Sequence, residues 1–186
     1  MSENLNQNQN AENKPTEGGM LTGMFSDRES TEKAYNSLQE RGYSKDDINL
    51  VMSDETRKKH FSGDVEETEL GTKAAEGAGK GSAIGGTVGA IVGVIAAIGT
   101  SLVIPGLGIV IAGPIAAGLA GAGAGGITGG VIGALVGSGI PEERAKLYES
   151  GIKSGNIVMG VNPRNSEDAK YFEENWRTNK GEDIHM

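Results

Sequence analysis

Apolar and polar positions alternate in three regimes along the chain. Residues 1–19 are mostly Asn, Gln, Glu and Gly around a single branched aliphatic, Leu5. Such a segment buries too little apolar surface to offset its ordering entropy, so a disordered N-terminal tail is expected. From Met20 to Ser53 the pattern predicts strand, helix, strand. Met20 to Phe25 is a short apolar run, and Ser26-Asp27-Arg28-Glu29 matches a capping box with Ser26 as N-cap. Thr31, Ala34 and Leu38 share one helical face with Tyr35 beside them, and Gly42 is placed to end the helix in a left-handed conformation. Ser44 to Asp47 reads as a turn and Ile48 to Met52 as the second strand. A strand–helix–strand of this length makes a right-handed crossover between strands of the same direction.

A charged linker (54–80) follows, then an apolar segment (81–140), and α/β patterning resumes at 141–177. Pro141 suits the first turn of a helix, with Glu142 and Glu143 favouring its N-terminal dipole. Asn156 to Val161 predicts a strand, and Ser166-Glu167-Asp168 opens a helix carrying Ala169, Tyr171, Phe172 and Trp176. The last residues, 178–186, are polar and expected to be a frayed tail. Neither flank has the apolar area for its own core. The expected fold is therefore α+β: a small βαβ plus αβα sandwich of ferredoxin-like flavour, interrupted by a glycine-rich apolar helical hairpin.

The middle segment changes the picture most. No charged residue occurs among the 61 positions from Gly81 to Pro141, and glycine makes up 31 of the 186 residues of the chain. Gly77, Gly81, Gly85, Gly89 and Gly93 fall every fourth residue, and Gly121, Gly125, Gly129, Gly133 and Gly137 repeat the spacing. The pattern predicts two helical arms joined by a turn at Thr100 to Gly108, each bearing a bare stripe that admits close helix packing. Each interior Gly costs a helix about 0.8–1 kcal/mol relative to Ala, so the ten between Ile115 and Gly139 imply a cost of about 8–10 kcal/mol. Lipid offsets such a cost by making a helix the only way for an open chain to satisfy its backbone; packing against another helix or a second copy is the alternative. Lys73, Lys80, Arg144 and Lys146 flank the segment at both ends, which fits both flanks lying on the cytosolic side of a membrane.

Composition narrows the chemistry. The formal charge of −8, from 17 Lys+Arg against 25 Asp+Glu, argues against nucleic acid as a partner. No cysteine and two distant histidines, His60 and His185, leave no thiol chemistry and no His-rich metal site. Gly121 to Gly126 matches G-x-G-x-x-G, with Glu142 about twenty residues on, but those glycines belong to the longer four-residue row and Glu142 follows Pro141 at a helix start. Gly79-Lys80 fails as a phosphate loop because position 74 is Ala. Glu66, Glu67, Glu69 and Asp64 read as solvated linker charge, Asp46 and Asp47 as turn residues, and Arg57 to His60 as an exposed basic loop. No enzyme, cofactor or metal is expected. The expected partners are membrane lipid and further copies of the chain. The alternative is a cytoplasmic, soluble oligomeric scaffold or binding protein whose glycine stripes pack between subunits. The chain starts without the basic residues and apolar core of a secretory signal, which points to a cytosolic start.

Leu21-Thr22-Gly23-Met24-Phe25-Ser26-Asp27-Arg28-Glu29, with Ala34-Tyr35, Arg41-Gly42-Tyr43-Ser44 and Ile48 to Ser53, resembles the opening of the bacterial general stress proteins, also called heat-induced stress proteins. The glycine-rich middle and Gly139-Ile140-Pro141-Glu142-Glu143-Arg144 resemble their longer members, so the likeness covers residues 20–176. It implies a stress-induced, non-enzymatic protein and carries no catalytic or ligand residue onto this chain. The shorter members lack the insertion, so membrane attachment is not inherited from them.

Overall fold

A computed structural model of the chain describes residues 19–61, 102–104, 108–116 and 130–186. The disordered tail expected at 1–19 lies outside it, Gly19 excepted, as do most of the linker and most of the apolar segment. Among the described residues the elements run β1 (Leu21–Phe25), α1 (Arg28–Glu40), a 3-10 turn (Lys45–Asp47), β2 (Ile48–Ser53) and α2 (Asp54–Phe61). There follow β3 (Leu102–Ile104), β4 (Ile109–Ala112), α3 (Gly130–Gly137), α4 (Glu142–Lys153), β5 (Ile157–Val161), α5 (Ser166–Thr178) and β6 (Glu182–His185).

The six strands form one sheet in the order β3-β4-β2-β5-β1-β6, with the pairs antiparallel. β5 lies between β1 and β2, with Met159 opposite both Gly23 and Leu50. β1 and β2 thus run in the same direction, as a crossover through α1 requires, but are separated by a strand from the other half of the chain. The two expected halves do fold against each other as one α+β unit. Helices cover both faces. On one, Tyr35 and Leu38 of α1 and Phe172 and Trp176 of α5 pack over Phe25, Leu50 and Met159. On the other, Val131 and Leu135 of α3 and Tyr148 and Ile152 of α4 pack over Met24, Ile111 and Val158. Two covered faces explain why β1, β4 and β5 are buried at every position rather than alternating.

Several expectations are corrected. Asp27, not Ser26, caps α1: its backbone is extended and its carboxylate accepts from Ser30 N at 2.7 Å and Ser30 Oγ at 3.0 Å. A carboxylate is the stronger acceptor at the positive end of a helix, and Glu29 instead pairs with Lys33 at 2.7 Å. Pro141 is the N-cap of α4, one place before the first turn. The linker begins as helix: Asp54 in the first turn pairs with Arg57 and Lys58 at 2.7 Å, and Phe61 is buried. The expected frayed tail holds strand β6 on β1, fastened by buried Ile184. The largest correction falls on the helical hairpin. Leu102–Ile104 and Ile109–Ala112 pair as strands, Val103 opposite Val110, and extend the sheet beyond β2. Their β-branched run fits a doubly covered sheet better than a helix turn. The final part of the second row, α3, is helical as expected.

Helix ends share one device. Gly42, Gly139 and Gly155 take positive φ (77°, 91° and 98°) after α1, α3 and α4, each in a pair of bonds such as Tyr43 N to Leu38 O and Gly42 N to Gln39 O. α5 ends with the same bonds, Gly181 N to Trp176 O and Lys180 N to Arg177 O, but the left-handed residue is Lys180, at φ 60°. A side chain there crowds the backbone. Replacement Lys180→Gly is expected to stabilise the fold by about 1 kcal/mol, read as a higher urea midpoint; a lower midpoint contradicts the assignment.

Candidate functional site

Of the ten glycines that sequence analysis singles out, Gly77, Gly81, Gly85, Gly89, Gly93, Gly121, Gly125 and Gly129 lie outside the described residues. Gly133 and Gly137 are on α3. A Cβ built at either meets no described atom within 4 Å. The buried side of α3 is Val131, Ala134 and Leu135, whereas Val136 is 42% exposed and sits beside Gly137. The stripe therefore faces away from the sheet, and α3 docks through its larger side chains.

The point where the chain leaves the sheet towards the second glycine row is rigidly set. Asn49, buried in β2, accepts from Ile115 N at 2.8 Å and donates to Gly160 O at 3.4 Å. Gly113 follows β4 at φ 95°, and any Cβ there would strike the Ile48 carbonyl oxygen. Asn49 thus satisfies a backbone donor that the ladder has released, a requirement for burying such a turn.

The densest polar cluster is one that sequence analysis misses, and it joins the two halves of the fold. Asp168, in the first turn of α5, is buried and receives Arg41 Nη1 at 2.8 Å on one oxygen and the Tyr43 hydroxyl at 2.7 Å on the other. Tyr43 in turn accepts Arg164 N at 2.7 Å. Arg41 also reaches Glu167 at 3.2 Å, and its guanidinium lies 4.1 Å over the Tyr171 ring. Arg164 lies 4.1 Å over Tyr43 and donates to Gly42 O at 2.8 Å. Two arginines stacked on two tyrosines enclose one carboxylate. These partners stand more than 120 residues apart in sequence, so no local spacing signals them. Burial pushes the Tyr43 hydroxyl up to about 12, against the Arg164 N–H and with help from Asp168. Burial does the same to Tyr35, also to about 12.

This cluster is a clamp in its chemistry. Each oxygen of Asp168 holds one donor and the Tyr43 hydroxyl is used as donor and acceptor, so these groups join α1 to α5. Among the described residues no group of three or more His, Asp or Glu side chains could hold a metal ion. Among the described residues, a concavity of about 180 Å³ where Met20 meets Ile140, Arg144 and Met186 falls short of the roughly 300 Å³ at which small-molecule pockets begin. No described helix is long and apolar enough to cross a membrane. Comparison with protein-family models, with curated proteins and with solved structures finds no match to this chain.

Tyr43→Phe is expected to cost about 1–3 kcal/mol, because it strips a partner from a buried carboxylate oxygen. Tyr35 and Tyr43 are both raised from 10.0 to about 12 in the folded chain. Their contribution is whole below pH 10 and is lost as the pH climbs from 10 towards 12. Urea midpoints across that range should fall together with the rise of tyrosinate absorbance. A midpoint indifferent to pH there contradicts the burial of the two phenols.

Proposed function

We propose that this is a non-enzymatic bacterial stress-response protein. In this reading it associates with a membrane through its self-packing glycine-rich segments, while the α+β unit stays on the cytosolic side. The observation that carries the reading is the uncharged run from Gly81 to Pro141 with its two four-residue glycine rows, both ends of which return to one folded unit. The stress role rests on the resemblance of residues 20–176 to the general stress proteins.

The sheet constrains how such attachment works. The segment 62–101 leaves from α2 and returns at β3, and the segment 117–129 leaves after β4 and returns at α3. Both ends of each belong to the same unit. A single crossing by Gly81–Ser101, about 32 Å as a helix, would put β3 on the wrong side of the bilayer. The 13 residues 117–129 would reach about 20 Å as a helix, too short to cross and return. Attachment is therefore re-entrant or interfacial, entering from one face, with the glycine rows packing closely on each other inside the apolar layer. The open faces of Gly133 and Gly137 beside exposed Val136 favour a second reading, a soluble oligomer in which the α3 stripe packs between subunits.

Alkaline carbonate washing of membranes from expressing cells separates the two. Retention in the pellet, with release by detergent, is the expected outcome. Recovery in the supernatant as a folded oligomer removes the membrane reading and leaves the second one.

A further inference from the structure

β6 is fastened to the fold at few points, and strain is concentrated beside them. Lys180 and Asp183, at φ 60° and 49°, are the only non-glycine residues among those described with positive φ, and both lie in this terminal segment. A side chain in the left-handed region crowds the backbone, so such residues persist only where their surroundings hold them. The pairing of β6 with β1 also slips register between Thr22 and Met24. Ile184 is its one buried side chain; Glu182, Asp183 and His185 are exposed. Glycines make the seat of Ile184: a Cβ on Gly23 would come within 3.2 Å of its Cγ1, and one on Gly181 within 3.0 Å of its Cδ1. From the opposite face of the sheet, the Tyr148 hydroxyl donates to Asp183 O at 2.8 Å.

We propose that β6 is a latch: residues 181–186 open as one unit from an otherwise intact fold, pivoting at Lys180-Gly181 after α5. Two contacts hold the latch closed, Ile184 in its glycine seat and Asp183 O under the Tyr148 hydroxyl. Their release lets Lys180 and Asp183 relax to ordinary backbone conformations. Strain therefore favours opening, while the seat and the hydrogen bond oppose it. The pairing of β1 with β5 is unbroken from Leu21 opposite Val161 to Phe25 opposite Ile157, so the rest of the sheet does not need β6 to stay closed. Open, the latch leaves β1 as the edge of the sheet and bares the seat beside Trp176 and Phe25. The device belongs to the folded unit and does not depend on membrane attachment.

Hydrogen exchange of the full chain across low urea separates a latch from a strand that leaves only with the whole fold. The amide of Gly181, bonded to Trp176 O at 2.7 Å, and the protected amides of β6 are expected to share one rate. That rate should be about a hundredfold faster than in β5 and nearly independent of urea. Two substitutions fix the cause. Lys180→Gly removes strain present only in the closed hinge and should slow the latch about fivefold. Ile111→Val, buried in β4 on the far side of β5, lowers global stability and should speed β5 exchange about three- to tenfold while the latch rate holds. Latch amides that follow β5 in rate and urea dependence, or that speed up with it in Ile111→Val, overturn the proposal. So does protection that fades steadily towards Met186, which is simple fraying, and so does a latch rate that Lys180→Gly leaves unchanged or raises.

Discussion

The architecture depends on β5 lying between β1 and β2. Those two strands come from one local crossover and cannot satisfy each other's backbone groups across the gap that β5 fills. The ladder is completed only when Ile157 to Val161 arrives from beyond the apolar segment, pairing Met159 with Gly23 on one side and Leu50 on the other. Unpaired backbone in a sheet covered on both faces is costly, so the N-terminal and C-terminal halves stand or fall together. Strand pairing across more than 100 residues requires a large loop-closure entropy to be overcome, and two buried clusters, one on each face, supply the offset.

The polar clamp acts on the same constraint from outside the sheet. Arg41 and Tyr43 follow α1, whereas Arg164 and Asp168 surround the start of α5. Their bonds tie the exit of the first helix to the start of the last, over the pair of strands that closes the fold. Two stacked guanidinium groups and a shared carboxylate give the joint direction as well as energy. The cluster therefore positions α1 against α5.

Local signals in the sequence locate β1, α1, β2, α4, β5 and α5 because each is short, strongly patterned and bounded by turn residues. Gly42 ends α1 where its placement predicts. The cap of α1 misleads because Ser26 and Asp27 are adjacent competent acceptors, and charge decides between them. β6 is hidden because Ile184 is its one apolar position, and the neighbouring charges read as tail. β3 and β4 are hidden for the opposite reason: Leu-Val-Ile and Ile-Val-Ile-Ala lie in a run so apolar that its glycine period dominates the reading, and period alone cannot separate a buried strand from a helix turn. The Asp168 clamp leaves no trace in sequence, since its members meet only through the tertiary fold.

Native-state hydrogen exchange tests the central dependence most directly. If the sheet is closed by β5, the amides of Ile157 to Val161 and of their partners in β1 and β2 open only with global unfolding. They should then share one denaturant dependence, the slowest in the protein. Exchange in β5 that is faster than in β1, or that follows a shallower dependence, would mean that the first half holds together without its partner strand and would contradict the account.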